Sequence, residues 1–378
     1  MSVIKLCHRI SGIVPLMLLG WTAPAWAEYG LNLTRGVTPT SKVVYDLHML
    51  ILWIVFIIGI LVFSVMFYSI YHHRKSRGAV AAQFHHSTKA EIIWTIIPII
   101  ILVTMAVPAT KALIFMEETG DAEMTIKVTG YQWKWKYDYL DEDLSFFSVL
   151  AQDSNDARQL GSNIDPNTVD HYLLDVDQPI VLPVNKKIRI LTTANDVIHA
   201  WWVPALGWKR DAIPGFINDN WTYIEEPGTY RGQCAELCGK DHGFMPIVLK
   251  AVPEDEYRAW VEEMKLAQAA KAEESGQTYS MDDLMARGET IYSANCVACH
   301  MANGQGLPGT FPALAGGAIT TGDIGVHISQ IIKGKNLMPP FGEQLSDAEI
   351  AAVVTYERNS WGNDTGDVVQ PADVKAAR

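Results

Sequence analysis

Three patterns of apolar and polar positions follow one another along the chain. Residues 43–71 and 92–115 are almost continuously apolar, the first including Leu50-Ile51-Leu52-Trp53-Ile54-Val55-Phe56-Ile57-Ile58. Both approach or exceed the roughly 20 residues that cross a hydrocarbon core, so each predicts a membrane-spanning helix. Pro98 and Pro108 fall inside the second, where neighbouring helices can satisfy the freed carbonyls. One such run could be a buried soluble helix; two so close together favour a membrane hairpin. From residue 124 to 251 the runs shorten and alternate, as in Thr125-Ile126-Lys127-Val128-Thr129 and Ile188-Arg189-Ile190-Leu191-Thr192, with Pro, Gly and Asn-Asp turns between them. A period of two predicts a compact antiparallel β domain. Residues 145–170 are polar and read as an exposed loop. Residues 254–272 return to helical spacing, with Tyr257, Trp260, Val261 and Met264 opposite the charges. Residues 273–277 read as a linker, and the remainder as a small, mostly helical domain.

The two ends of the hairpin set its orientation. Lys5 and Arg9 precede an apolar stretch from Ile10 to Leu19 and a small-x-small site at Ala25-Trp26-Ala27, which predicts a signal peptide over residues 1–27. The loop between the helices carries His72, His73, Arg74, Lys75, Arg77 and Lys89, and positively charged loops stay in the cytoplasm. Everything after Phe115 is therefore expected on the exported side. A net charge of −12 argues against nucleic acid as a partner, because phosphates demand a basic face.

Removal of the leader would discard Cys7 and leave Cys234, Cys238, Cys296 and Cys299. Two disulfides would be the ordinary reading in an exported chain. Each pair instead lies in a motif with other chemistry.

The first motif is Cys234-Ala-Glu236-Leu-Cys238-Gly-Lys-Asp-His242-Gly-Phe-Met245. Two thiolates, an imidazole and a thioether lie close together, and all suit copper. His199, in Asn195-Asp196-Val197-Ile198-His199, is the best candidate for a second imidazole. A blue copper site uses one cysteine, so the second counts against it. A Cys₂His₂ zinc site would leave Met245 without a role. Two coppers bridged by both thiolates use every one of these residues.

This stretch resembles the CuA motif of cytochrome c oxidase subunit II, and the likeness runs from the hairpin to about Ala251. Asp211-Ala212-Ile213-Pro214-Gly215 and Pro246-Ile247-Val248-Leu249 flank the motif as they do in that family. The resemblance implies His199, Cys234, Cys238, His242 and Met245 as side-chain copper ligands. It implies Glu236 as a ligand through its backbone carbonyl, with its carboxylate facing a Mg²⁺ shared with subunit I. Gly130-Tyr131-Gln132-Trp133-Lys134-Trp135-Lys136-Tyr137 resembles the family's aromatic strand, which makes Trp133 the point where electrons enter from cytochrome c. Lys134 and Lys136 depart from the aromatic or neutral residues often found there, so donor docking is expected to differ. Glu91 matches the acid at the mouth of a proton channel, although an acid at a membrane boundary could equally be solvated.

The second motif, Cys296-Val297-Ala298-Cys299-His300, is the attachment signature of c-type haem. The thiols form thioethers and His300 binds iron from one side. Met338, in Gly334-Lys335-Asn336-Leu337-Met338-Pro339-Pro340, is the expected opposite ligand, with Met301, Met281, Met285 and His327 as rivals. Residues 288–361 resemble a small class I cytochrome c. Ser346 and Glu349 form a capping box that opens its last helix.

The expected architecture is multidomain: a two-helix transmembrane hairpin, a cupredoxin-like antiparallel β-sandwich or barrel, and a small all-α cytochrome c domain. Its expected boundaries are 28–120 for the hairpin segment, 121–253 for the copper domain, 254–279 for helix and linker, 280–365 for the cytochrome and 366–378 for a tail. The resemblance implies the electron-accepting subunit of a terminal oxidase in the bacterial plasma membrane, partnered by subunit I, by subunit III and by a cytochrome c donor. A copper-containing nitric oxide reductase could use a similar chain, and a copper-delivery protein is the reading from another class. The fused haem argues against delivery, which needs no electron carrier.

Overall fold

The computed structural model describes residues 32–80, 82–83, 85–159 and 161–378. The expected signal peptide lies outside the described residues. Residues 35–378 form one compact unit.

Two long helices open the unit, α1 (Pro39–His72) and α2 (Thr88–Met116). Both are longer than predicted, because polar first turns extend them beyond the apolar runs. Pro98 and Pro108 lie within α2 without ending it. Along both helices the large apolar side chains face outward, Trp53, Phe67, Trp94 and Leu102 among them, as lipid contact requires.

The N-terminus of α1 is clamped to the β domain. Thr38 caps it in a capping box with Ser41, and the Thr38 hydroxyl donates to Leu206 O at 2.8 Å. Val37 N–H donates to Ala205 O, Glu225 N–H donates to Val37 O, and Lys42 pairs with Glu225. Gly207, at φ +81°, admits the helix: a Cβ there would lie 2.3 Å from Ser41 Cα. At the far end of α2, Trp221 Nε1–H donates to Phe115 O at 3.3 Å.

The β domain is built from β1 (Met124–Tyr131), β2 (Lys134–Tyr139), β3 (Leu144–Ser148), β4 (Ile180–Pro183), β5 (Lys187–Ala194), β6 (His199–Val203), β7 (Trp208–Ala212), β8 (Asn218–Tyr223), β9 (Gly228–Cys234) and β10 (Pro246–Val252). Among the described residues these form two five-stranded sheets, ordered β3-β2-β1-β5-β8 and β4-β10-β9-β6-β7. The alternation read from sequence is realised in β5, where Ile188, Ile190 and Thr192 are buried between partly exposed neighbours. The expectation of an antiparallel domain needs correcting at two places. β1 pairs in parallel with β5, and β4 with β10, because each pair is joined by a long connection instead of a hairpin.

The exposed loop expected at residues 145–170 is also corrected. It contains β3 and a short helix α3 (Gln152–Ala157), with Ser154, Asn155 and Ala157 buried. Its polar side chains find partners inside the molecule, which composition alone does not reveal.

Helix α4 (Glu254–Glu274) lays Tyr257 and Val261 on the β-domain core and runs two residues into the expected linker. The final domain comprises α5 (Met281–Asn295), α6 (Val297–His300), α7 (Ile324–Lys333), α8 (Asp347–Arg358) and α9 (Pro371–Ala377). The capping box of Ser346 and Glu349 opens α8 as predicted. Residues 366–378, expected as a tail, contain α9, which buries Val374 in the helical core that also holds Val369. Arg378 ties its end to Asp347 at 2.5 Å.

Candidate metal centre and haem site

The copper motif closes the turn between β9 and β10. Cys234 ends β9, while Cys238 and His242 follow in the loop and Met245 precedes β10. His199 reaches them from the start of β6, which pairs with β9 through Trp201 opposite Cys234. Donor atoms of His199, Cys234 and Cys238 lie within 4.8 Å of one another. The two sulfurs are 3.8 Å apart. His199 Nδ1 lies 3.9 Å from Cys234 Sγ and His242 Nδ1 lies 3.4 Å from Cys238 Sγ. Met245 Sδ is 3.5 Å from Cys238 Sγ, and Glu236 O is 3.4 Å from Cys234 Sγ.

All six predicted donors therefore gather in a symmetrical chain. Each thiolate has one imidazole and one weaker donor beside it, and the two thiolates face each other. This arrangement fits two coppers sharing both sulfurs better than one metal. The sulfurs also hydrogen-bond to each other, which lowers the first proton loss from Cys234 and raises that from Cys238. Bound copper would supply the positive charge that removes the second proton.

Several supporting residues escaped the sequence reading. Asp196 Oδ1 lies 2.9 Å from His199 Nε2, leaving Nδ1 toward the sulfurs. A carboxylate behind a ligating histidine fixes its tautomer and orientation. The signal was available, since Asp196 stands three residues before His199. Asp196 Oδ2 also accepts from Gln132 N–H at 2.7 Å, which joins the loop of Trp133 to the metal site. Gly130 gives the His199 ring its space: a Cβ there would fall 2.7 Å from His199 Cδ2. Gly130→Ala is expected to weaken copper binding by roughly 10–100-fold, as disturbance behind a ligand usually does. Metal analysis at limiting copper checks this, and full occupancy would show that the ring relaxes freely.

Trp133 lies beside the metal site and touches it through the backbone of Cys238. Its Nε1–H donates to Cys238 O at 3.1 Å, and Gln132 Nε2–H donates to the same carbonyl at 2.9 Å. The Glu236 carboxylate is exposed. Glu91 lies far along the chain in the first turn of α2, where its Oε1 accepts from Ser87 N–H at 3.3 Å.

The haem motif borders a cavity of about 670 Å³, lined by Cys296, Cys299, His300 and Met338. α6 carries Cys299 and His300, while Cys296 caps it. His300 Nδ1 lies 3.0 Å from Pro312 O, which holds the ring and frees Nε2 as a ligand. Met338 is packed against the helical core from the loop after α7. Of the rivals, Met301 is 37% exposed and, like Met281 and Met285, does not line the cavity. His327 lines it, but its Nε2 is engaged with Glu357 at 2.8 Å. Two thiols, one free imidazole nitrogen and one thioether around a largely apolar chamber fit a covalently held haem.

The wall of this chamber is shared. Gln132, Trp133 and Lys134 contribute to it from the β domain. Lys134 is almost fully buried, with Nζ 4.5 Å from the centre of the Phe341 ring, and burial pulls its ammonium down to about 7.

A hairpin fit to cross a membrane, a dithiolate site on a cupredoxin-like sandwich and a haem chamber beside it define a membrane-anchored electron-transfer protein. Comparison with known sequences gives the family. Residues 124–252 match the profile of cytochrome c oxidase subunit II, periplasmic domain, and residues 26–112 match its transmembrane domain. Residues 283–356 match cytochrome c oxidase, cbb3-type, subunit III. Cytochrome c oxidase subunit 2 of Alkalihalophilus pseudofirmus is 30% identical over 376 residues, covering 94% of this chain and 98% of that protein. A probable cytochrome c oxidase subunit 2 of Rickettsia prowazekii is 43% identical over 225 residues, covering 59% and 69%. The crystal structure of the periplasmic domain of oxidase subunit II from Bradyrhizobium japonicum is 44% identical over 39% of this chain and 98% of that one, at a TM-score of 0.35. This chain belongs to the cytochrome c oxidase subunit II family. Membership implies a copper centre in the periplasmic domain and, through the cytochrome domain, a c-type haem. It is a membrane protein with a periplasmic domain.

Proposed function

We propose that this chain takes electrons from a cytochrome c donor at its haem, carries them to a dinuclear CuA centre and delivers them to oxidase subunit I. The observation that carries this reading is the shared wall between the haem chamber and the copper loop, formed by Trp133. The copper would be held by His199, Cys234, Cys238, His242, Met245 and the Glu236 carbonyl. The haem would be bound by Cys296 and Cys299, with His300 and Met338 as axial ligands. Both groups supply one-electron storage with little rearrangement. The polypeptide buries His199, Cys234, Cys238 and Met245 and fixes the separation of the two sites, through the two sheets on one side and the crossing of α5 with α8 on the other.

Delivery to subunit I draws support from exposed apolar residues close in sequence to the ligands, Leu237 and Ile198 among them, and Phe216 and Ile217 beyond β7. The exposed Glu236 carboxylate would reach a Mg²⁺ shared with that subunit. Glu91 would stand at a proton inlet on the cytoplasmic side of the plasma membrane, and subunit III would complete the complex.

The test is oxygen uptake by the detergent-purified complex fed with reduced cytochrome c, with nitric oxide turnover assayed in parallel. Oxygen uptake that Glu91→Gln slows, while copper reduction stays fast, is the expected result. Nitric oxide turnover without oxygen uptake would keep the relay and assign the chemistry to a reductase. Unchanged turnover in Glu91→Gln would remove Glu91 from the proton path.

A further inference from the structure

The face of the β domain that carries Trp133 is occupied by the chain's own cytochrome domain. Lys134 Nζ donates to Gln344 Oε1 and sits between the rings of Phe147 and Phe341, one from each domain. Lys136 Nζ pairs with Glu343 Oε2 at 2.8 Å, beside Asp138 at 3.5 Å. Lys240, between Cys238 and His242, donates to Ala298 O at 2.9 Å, inside the haem attachment motif. Its ammonium also lies 5.7 Å from the centre of the Trp133 ring and 6.0 Å from that of Phe311, bridging the domains. A second line of contacts joins Gln152 and Asn155 of α3 to Ser293 of α5, at 3.2 Å each.

We propose that Lys134, Lys136 and Lys240 form a fixed dock for the cytochrome domain, which covers Trp133 and makes the haem the sole inlet to the copper. The inference rests on the relay reading above and adds its geometry. Trp133 opens into the chamber the haem fills, so an external donor cannot stack on it while the domain is seated. The hydrogen bond from Trp133 to Cys238 O then points from the chamber to a copper ligand. In each transfer the haem held by Cys296, Cys299, His300 and Met338 would give up one electron, passing from Fe(II) to Fe(III), and the oxidised copper held around Cys234 and Cys238 would gain it. A reduced cytochrome c restores the haem, and no proton is consumed.

Three features separate this dock from a transient contact. The donors come from three positions around Trp133, so the domain is held against rotation as well as separation. Lys134 is buried by the contact, which a loosely tethered domain would not require. On the cytochrome side, Ala298 and Phe341 line the haem chamber itself, and Glu343 and Gln344 follow Phe341 directly in the chain. Glu343 is 72% exposed, and such an ion pair adds little when merely neutralised. Charge reversal, which replaces attraction by repulsion, is the informative change.

The experiment uses the full complex with haem and copper loaded. The haem is reduced by a flash from a bound photoreductant and copper reduction is followed by its absorbance. Glu343→Lys and Lys136→Glu are each expected to slow haem-to-copper transfer by roughly tenfold or more, with haem spectrum and copper content unchanged. The double exchange Lys136→Glu/Glu343→Lys is expected to restore the rate to within about threefold. Normal rates in both single variants would overturn the dock and leave the relay standing. Absence of haem-to-copper transfer in the unaltered complex would overturn the relay itself. Mixing with reduced cytochrome c gives an independent check, because copper reduced ahead of the haem would show that Trp133 is open to the donor.

Discussion

Replacing Cys234 with serine is expected to abolish oxygen uptake while leaving the haem reducible and the chain folded. Cys234 stands 3.8 Å from Cys238 and is the sulfur beside His199 and the Glu236 carbonyl. A serine hydroxyl is a hard donor that stays protonated, so one half of the donor set would be lost. The other half, Cys238 with His242 and Met245, could still hold a single metal. Changes merely behind a ligand cost about 10–100-fold in affinity, and removal of a shared thiolate should exceed that range. The fold should tolerate the change, since the side chains are similar in size and a hydroxyl can donate to Glu236 O where the thiol does now. Metal analysis, haem absorbance and oxygen uptake on one preparation check all three statements. Two coppers retained with full turnover would disqualify the shared-thiolate assignment.

Gly288→Val is expected to remove the haem domain while sparing the copper site. Gly288 lies where α5 crosses α8, and a Cβ there would meet Ala352 O at 2.3 Å and Tyr356 Cβ at 2.5 Å. Glycine inside a helix costs about 1 kcal/mol relative to alanine, so a larger residue would be favoured if there were room. There is none, and the obstruction is backbone, which cannot rotate away. Overpacking of this kind costs typically 1–3 kcal/mol per site, and a branched side chain at a helix crossing lies at the upper end. Leu284 and Tyr292 of α5 share one buried core with Ile350 and Val354 of α8. The measurement is haem per chain against copper per chain. Haem should fall by about tenfold or more with copper unchanged, as expected where separate cores fail independently; normal haem loading would show that the helices can part without cost.

The sequence disclosed the parts of this molecule that are local. The side chains proposed to hold copper crowd into one loop, those proposed to hold the haem start from a five-residue motif, and the two helices fit to span a membrane announce themselves by length. Even His199, distant from its partners, could be picked out because few histidines lie in the β region. What stayed hidden depends on long-range contact. Lys134 and Lys136 stood out as unusual, but their partners Gln344 and Glu343 are 210 and 207 residues away. Residues 145–170 read as solvent-exposed because their partners, including Ser293, belong to a later domain. Parallel pairing of β1 with β5 is likewise set by a connection whose course no alternation pattern records.

The clamp of Thr38, Ser41 and Gly207 on the first turn of α1 has a consequence for how the molecule sits at its interface. α1 contains 34 residues, about 51 Å at 1.5 Å per residue, against a hydrocarbon thickness of about 30 Å. With its first turn clamped to the β domain, the surplus length would act as a stiff bracket setting the height of the metal loop above the lipid. Bilayers that thicken or thin would then be absorbed by tilt of the hairpin, while the metal loop keeps its height above the membrane surface.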